Sequence, residues 1–204
     1  FQRHVFRMNY QPFDALSVSL STEFEKNPSK TQYVNQVDYD TKTRYILGEI
    51  DNQSWSTTLR VNYSINPNMS IQFYGQPFIS RGTYNEFNFV NDPIAKNIDD
   101  RVTLYTTDQI SRVNNSGDYQ IDEDINGITD YEIEDPDFSF VQFRSNLVVR
   151  WEYIPGSEIF LVWSQGVSGD GDPMDSLGRS LDGQILGQKM DNTFLIKATY
   201  RFVL

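Results

Sequence analysis

The sequence predicts an all-β fold of antiparallel strands, and three observations favour a transmembrane β-barrel over a soluble sandwich. The first is the strict alternation of "NTFLIKATYRFVL" (192–204), which places six apolar or aromatic residues on one parity: Phe194, Ile196, Ala198, Tyr200, Phe202 and Leu204. A period of two indicates a β-strand with two different faces. In a soluble sandwich the apolar face meets a core, whereas in a membrane barrel it meets lipid.

The second observation is the order of the connections between eight candidate strands. We expect strands at roughly 1–10, 15–25, 31–48, 55–65, 69–80, 138–153, 157–167 and 192–204. Pro, Gly and Asn predict tight turns at "NPSK" (27–30), "NPN" (66–68) and "IPGS" (154–157), whereas the connections 81–137 and 168–191 are long. Tight turns then lie on one side and long loops on the other, as in outer-membrane barrels with short periplasmic turns and long external loops.

The third observation is that ring-bearing residues recur eight positions apart on the apolar faces of three strands. Eight residues span about 26 Å along a strand, or about 20 Å along the membrane normal at a tilt near 40°. This approaches the roughly 25 Å band between two aromatic girdles. The predicted girdle residues are Trp55, Tyr63, Phe143, Trp151, Trp163, Phe194 and Phe202.

The opposite parity of these strands is polar and predicts a wet lumen. We expect five basic side chains to face it: Arg60, Arg144, Arg150, Lys197 and Arg201. Each charge would be costly in hydrocarbon, which favours the inner face of a barrel. We interpret these charges as bracing the barrel wall, and a selective pore is the alternative.

Composition narrows the remaining classes of protein. The mean hydropathy is −0.52, and no apolar run reaches the roughly 18 residues of a membrane-spanning helix. There is no cysteine, and residues 81–137 hold 14 acidic and 4 basic side chains within a chain of net charge −11. The absence of a basic stripe argues against nucleic acid as a partner. The chain begins "FQRHV" without a signal peptide, so we expect a mature form or the C-terminal part of a longer protein.

Two long stretches resemble a known bacterial outer-membrane family. They are "RYILGEIDNQSWSTTLRVNYSINPNMSIQFYGQPFIS" and "DPDFSFVQFRSNLVVRWEYIPGSEIFLVWSQG", and the resemblance covers roughly residues 14–204. It implies the C-terminal barrel region of an uncharacterised family whose longer members carry an N-terminal carbohydrate-binding family 9-like β-sandwich. The bacterial outer membrane is therefore the expected location, and further strands are expected from the rest of the same protein.

One segment of the acidic connection, "DEDINGITDYE" (122–132), has the spacing D-x-D-x-N-G-x-x-D of a calcium loop. Oxygen ligands at alternate positions can converge on one hard cation, and the glycine permits the sharp turn. The predicted calcium ligands are Asp122, Asp124, Asn126, the carbonyl of Ile128, Asp130 and Glu132, with Glu134 as a substitute for Glu132. Ile133 stands where the twelfth-position Glu is expected, and an acidic surface loop kept soluble by its charge is the alternative.

Catalytic residues are not recognisable, and we predict that the protein is not an enzyme. His4 is the only histidine, so a Ser–His–acid site would have to use it; we interpret it as a strand-end residue. The favoured function is a structural or interaction module that displays an acidic external loop. The alternatives are an outer-membrane channel or transporter and, disfavoured by the lone histidine, a membrane-embedded hydrolase. The expected partners are outer-membrane lipid, the N-terminal remainder of the protein, and proteins or surface lipoproteins at the external loops.

Overall fold

The computed structural model describes residues 1–114 and 116–202, and within them the all-β fold of antiparallel strands is confirmed. Val203 and Leu204, at the end of the predicted strand 192–204, lie outside the described residues. Among the described helices, none is long and apolar enough to cross a membrane.

Within the described residues, eleven strands form two antiparallel sheets. Their bounds are β1 Gln2–Phe13, β2 Leu16–Tyr39, β3 Lys42–Asn66, β4 Met69–Val90, β5 Val102–Leu104, β6 Ile110–Arg112, β7 Tyr119–Ile121, β8 Tyr131–Ile133, β9 Phe138–Ile154, β10 Ser157–Asp170 and β11 Asp191–Ala198. The large sheet has the order β1-β2-β3-β4-β9-β10-β11, with β5 paired to β4, and the small sheet has the order β6-β7-β8. In the part of the chain described, β1 and β11 end the large sheet and no closed barrel is formed.

The tight turn predicted at "NPSK" is wrong, because residues 27–30 lie inside β2. The chain reverses instead at Asp40 and Thr41, where Asp40 has a φ of +55°, a conformation that Asp tolerates better than most residues. Pro28 is compatible with the strand because β1 pairs with β2 only as far as Lys26. A residue without an N–H beyond that point removes no hydrogen bond between these two strands.

The other two predicted turns are confirmed. Pro67–Asn68 joins β3 to β4, and Pro155–Gly156 joins β9 to β10. Gly156 has a φ of +79°, and a Cβ at this position would lie 2.5 Å from Cδ of Arg201, so both backbone and space require glycine. A further tight turn, Asp14–Ala15, joins β1 to β2. Because successive strands are antiparallel, these three turns lie at the same end of the sheet.

Both long connections are shorter than predicted and contain regular structure. Strand β4 continues to Val90, and the segment 91–137 contains β5 to β8 and one 3₁₀ turn, Ile98–Asp100. Strand β10 continues to Asp170, and the connection to β11 contains helix α1, Leu177–Leu181, followed by a π-helical turn at Asp182–Leu186. Short runs such as "YQI" and "YEI" in 91–137 place aromatic and β-branched residues at alternate positions, which favours strands.

The chain divides into two compact units, which we call the sheet unit and the acidic unit. The sheet unit comprises Phe1–Lys26, Gln53–Arg81 and Ser139–Leu204, and the acidic unit comprises Asn27–Asn52 and Gly82–Phe138. The sheet unit holds 10 acidic and 11 basic side chains, a net charge of +1, whereas the acidic unit holds 18 acidic and 6 basic side chains, a net charge of −12. The negative charge of the protein therefore belongs to one folded unit.

The acidic unit has a hydrophobic core of its own. Its buried members come from β3, β4, β7, β8 and the segment after β5: Ile46, Phe87, Tyr105, Ile121, Tyr131 and Ile133. The hydroxyl groups of Tyr105 and Tyr131 lie 2.7 Å apart and form a buried hydrogen bond. Burial is the main cause that raises the pKa of both tyrosines, that of Tyr131 to about 12. The acidic segment is therefore folded around a buried core, within which the hydroxyl groups of Tyr105 and Tyr131 are paired.

Candidate metal centre and the two faces of the sheet

The candidate metal centre is the loop 122–130, which joins β7 to β8. The two strands form an antiparallel hairpin with Ile121 opposite Tyr131, and the N–H of Asp130 donates to the carbonyl of Ile121 at 2.8 Å. This pairing holds the two ends of the loop together. Within the loop, Ile125 and Gly127 have φ values of +58° and +86°. The glycine of the spacing motif therefore occupies the conformation for which the motif requires it.

Three of the predicted ligands converge. Asp122, Asp124 and Asp130 each offer a carboxylate oxygen, and these three oxygens lie within 4.8 Å of one another. Two oxygens bound on opposite sides of a calcium ion are about 4.6–5.2 Å apart, because each Ca–O bond is 2.3–2.6 Å long. The three carboxylates are therefore close enough to share one cation.

Backbone hydrogen bonds orient Asp122 within the loop. Its Oδ2 accepts from the N–H of Gly127 at 2.7 Å, and its Oδ1 accepts from the N–H of Asn126 at 3.1 Å. Desolvation acts to raise the pKa of Asp122, but these N–H donors outweigh it and the pKa lies below its usual value. Asp122 is thus held as a carboxylate, the form that binds a metal.

The side-chain oxygens of two other predicted ligands, Asn126 and Glu132, accept hydrogen bonds from other groups. The side-chain amide of Asn126 donates to Asp124 at 2.9 Å, and its oxygen accepts from the N–H of Ile128 at 2.8 Å. Glu132 lies on β8 opposite Gln120, whose amide donates to it at 2.7 Å. The neighbours of Glu132 on β8, Tyr131 and Ile133, are buried, so Glu132 is on the outer face of the small sheet. The role of the Ile128 carbonyl stays a prediction.

Two residues outside the loop, Arg44 and Tyr39, contact it, and the sequence alone did not predict these contacts. Arg44 pairs with Glu123 at 2.9 Å, and the N–H of Glu123 donates to Asp130 at 2.7 Å. The guanidinium of Arg44 also lies 4.8 Å from the ring centroid of Phe89. The pKa of Tyr39 is raised, first by desolvation and then by its hydrogen bond to Asp130. No local sequence pattern predicts the pair of Arg44 and Glu123, because the two residues are 79 positions apart.

The register of β9, β10 and β11 separates an apolar face from a polar face in the sheet unit. On the apolar face, three successive rows across these strands are hydrophobic: Leu147–Trp163–Phe194, Val149–Leu161–Ile196 and Trp151–Ile159–Ala198. Several members are strongly exposed, among them Phe194 at 73% and Ile196 at 75%. The opposite face, which we call the polar face, has three rows with polar or charged members, Arg144–Gly166–Asp191, Asn146–Ser164–Thr193 and Arg150–Phe160–Lys197, and one hydrophobic row, Val148–Val162–Leu195.

The predicted lumen residues lie as follows. Arg144, Arg150 and Lys197 share the polar face, where Arg150 forms ion pairs with Glu158 and Glu152. The guanidinium of Arg60 lies 5.3 Å from the ring centroid of Tyr74. Arg201 follows the end of β11, and its N–H donates to Oγ of Ser157 beside the Pro155–Gly156 turn. The lumen itself stays a prediction.

The two girdles stay a prediction, and the residues predicted to form them lie as follows. Trp163 stacks on Phe194, and their ring centroids lie 5.8 Å apart. Both residues belong to the row of Leu147. Along β9, Leu147 is four positions from Phe143 and four positions from Trp151. Tyr63 and Trp151 are exposed, and Phe202 contacts Tyr200 with ring centroids 4.7 Å apart. Regular pairing ends at Ala198, although Thr199 still exchanges two backbone hydrogen bonds with Glu158.

Two girdle residues are partly covered by the connection between β10 and β11. Trp55 and Phe143 pack against a cluster formed by Ile79, Val141 and Ile185, together with Leu177 and Leu181 of α1. Arg81 links this connection to β3. Its guanidinium donates one hydrogen bond to the carbonyl of Asp175 and a second, 2.9 Å long, to Oε1 of Gln53. The apolar face is thus covered near α1 and exposed in the rows towards the tight turns.

These features define an all-β protein with an exposed amphipathic sheet, a separate acidic unit and a three-carboxylate loop. The chain belongs to the family described as "Domain of unknown function (DUF5916)", which matches residues 2–203. This family membership agrees with the resemblance of the sequence to an uncharacterised family. Comparison with curated proteins and with solved structures returned no match.

Proposed function

We propose that this chain forms part of the wall of a bacterial outer-membrane β-barrel and displays the acidic unit outside the cell. One observation carries the proposal: the sheet unit leaves hydrophobic rows of one face exposed and carries Arg144, Arg150 and Lys197 on the opposite face, where Arg150 pairs with Glu158. A soluble sheet buries such a face, whereas a barrel wall turns it to lipid. The protein acts as a structural or interaction module, without enzymatic activity.

Strand lengths and charge support this division of roles. Within the sheet unit, β2 contributes 11 residues, β3 contributes 14 and β4 contributes 13, and a tilted strand needs about 9–11 residues to cross a membrane. The remainders of these strands belong to the acidic unit, whose net charge of −12 is suited to water. We therefore assign the membrane-crossing part of these strands to the residues of the sheet unit.

The partners follow from this arrangement. Outer-membrane lipid contacts the apolar face, and strands from the remainder of the same protein pair with β1 and β11 to close the barrel. Proteins or surface lipoproteins contact the acidic unit, whose charge disfavours nucleic acid. The alternative function, a channel or transporter, is favoured by the polar face and is tested by conductance in a planar bilayer.

Cysteine labelling tests the wall directly, because the chain has no cysteine of its own. Leu161 and Val162 are adjacent on β10, and their partners on β9 are Val149 on the apolar face and Val148 on the polar face. We expect a fluorophore at Leu161→Cys to be quenched by brominated lipid in reconstituted membranes, and one at Val162→Cys to be quenched far less. Equal quenching at the two positions would reject the proposed orientation.

A second proposal is that the loop 122–130 binds calcium, and the observation that favours it is the convergence of Asp122, Asp124 and Asp130. Asn126 and the Ile128 carbonyl complete the proposed ligand set, with water in place of Glu132. The affinity is expected to be weak, about 10⁻⁴–10⁻³ M as in extracellular modules, because a bidentate Glu is lacking. The ion would offset the mutual repulsion of the carboxylates.

We expect a chelator to increase proteolysis within residues 81–137 and to leave the strands of the sheet unit protected. Asp124→Ala should have the same effect in millimolar calcium, because it removes one of the three converging carboxylates. Asp99→Ala is the matched control, since it removes the same charge from an exposed position of the acidic unit outside the loop. A cleavage pattern that calcium and chelator leave unchanged would identify the loop as acidic surface only.

A further inference from the structure

An aromatic cleft opens on the surface of the acidic unit. Its volume is about 380 Å³, and its wall includes six aromatic or aliphatic residues: Tyr84, Phe87, Leu104, Tyr105, Ile110 and Tyr119. Phe87 and Tyr105 are buried, whereas Leu104 is 52% exposed. None of the three converging carboxylates lines this cleft. A cleft of this size accommodates a small molecule.

Two rings of the cleft pack against each other, and the Tyr105 hydroxyl and the Tyr84 backbone N–H are bound to other groups. The ring centroids of Phe87 and Tyr119 lie 4.6 Å apart at an interplanar angle of 53°. The hydroxyl of Tyr105 is bound to that of Tyr131, and the backbone N–H of Tyr84 donates to Asp137 at 2.6 Å. The wall therefore offers mainly hydrocarbon and π surface, which attracts rings and cations.

The charges around the cleft select against an anion. Arg112 is the basic residue of the wall, and it is neutralised by Asp135 at 2.5 Å and Asp137 at 3.4 Å. Its guanidinium lies 5.4 Å from the ring centroid of Tyr119. Glu86 also lines the cleft, is exposed and has a φ of +48°, a strained conformation of the kind that is concentrated at binding sites. The acidic unit adds a negative field.

We propose that this cleft binds a small molecule that carries an aromatic ring and a protonated amine. The ring displaces water from the apolar wall, and the ammonium group interacts with Glu86 and with the ring of Tyr84. An anionic compound of the same shape is repelled by the net charge of −12. This role goes beyond the proposed barrel wall and calcium loop, because it uses neither the apolar face nor the three carboxylates.

Calorimetry of the full chain in neutral-detergent micelles tests the cleft, with protein-free micelles as the blank. The probe is 2-phenylethylammonium, and 3-phenylpropionate is the anionic compound of similar shape. We expect saturable binding of one amine per chain and no saturable binding of the carboxylate. Leu104→Lys should weaken amine binding by at least about tenfold, because it places a like charge at the rim. Leu104 is exposed enough for the variant to fold.

Ile94→Lys is the matched control, because Ile94 is 88% exposed in the same unit and does not line the cleft. Its amine binding should equal that of the unmodified chain. Three results would each overturn the proposal: amine heat no greater than the micelle blank, equal binding of amine and carboxylate, or equal weakening by Leu104→Lys and Ile94→Lys. The last result would indicate general attraction to the acidic unit.

Discussion

Val149→Arg is expected to lower the stability of the membrane-inserted protein by about 2–4 kcal/mol, the cost of a cationic side chain near the bilayer midplane of a barrel. Val149 lies in the middle hydrophobic row of the apolar face, between Leu147 and Trp151 along β9 and opposite Leu161 of β10. Denaturant-induced unfolding in lipid vesicles, followed by tryptophan fluorescence, measures the change.

Val148→Arg is the matched variant and should cost much less. Val148 is the adjacent residue of the same strand, but it pairs with Val162 on the polar face, with Asn146 and Arg150 as neighbours along that face. An arginine there can remain hydrated if this face lines a wet lumen. Equal losses of stability for the two variants would contradict the assignment of the faces to lipid and lumen.

Deletion of residues 195–204 is expected to abolish membrane assembly. In the structure, Leu195, Ile196, Lys197 and Ala198 pair with β10, and Thr199 exchanges backbone hydrogen bonds with Glu158. The deletion would leave the edge of β10 unpaired from Ile159 to Val162, and each unsatisfied backbone group costs several kcal/mol in hydrocarbon. Heat-modifiable migration in gels and resistance to carbonate extraction report assembly.

Lys197→Gln is the control for the deletion. It removes a charge from the polar face within the same segment and keeps every backbone pair of β11 with β10. This variant should assemble normally. Heat-modifiable, membrane-integrated protein after the deletion would show that β11 is dispensable, and the barrel proposal would lose its C-terminal strand.

The strands β9, β10 and the start of β11 could be predicted closely from the sequence. The predicted bounds are 138–153 and 157–167, and the observed bounds are Phe138–Ile154 and Ser157–Asp170. They agree closely because each strand alternates regularly and "IPGS" marks the turn between them. The reversal after β2 could not be predicted this way. Asp40–Thr41 carries no Pro or Gly, whereas the stronger local signal "NPSK" lies inside a strand whose pairing with β1 has already ended.

The candidate metal site was also predicted only in part from the sequence. The spacing D-x-D-x-N-G-x-x-D predicts the three aspartates that converge, since a loop of nine residues is governed by near neighbours. The same spacing predicts Glu132 as a further ligand. In the structure β8 pairs with β7, and Glu132 accepts a hydrogen bond from the amide of Gln120 instead. The ion pair between Arg44 and Glu123 depends on the packing of β3 near the loop, which no local pattern specifies.

Strand periodicity, the acidic segment and the aspartate spacing are local properties, and the sequence alone was sufficient to establish them. The tertiary structure decided how far each strand continues, that the acidic segment folds around Ile121, Tyr131 and Ile133, and that Leu147 and Phe194 share a row. It also produced the aromatic cleft from residues of β4 and of the strands β5 to β7. These outcomes depend on contacts between distant positions, whose free energy is determined by burial and pairing in three dimensions and not by the period of any one segment.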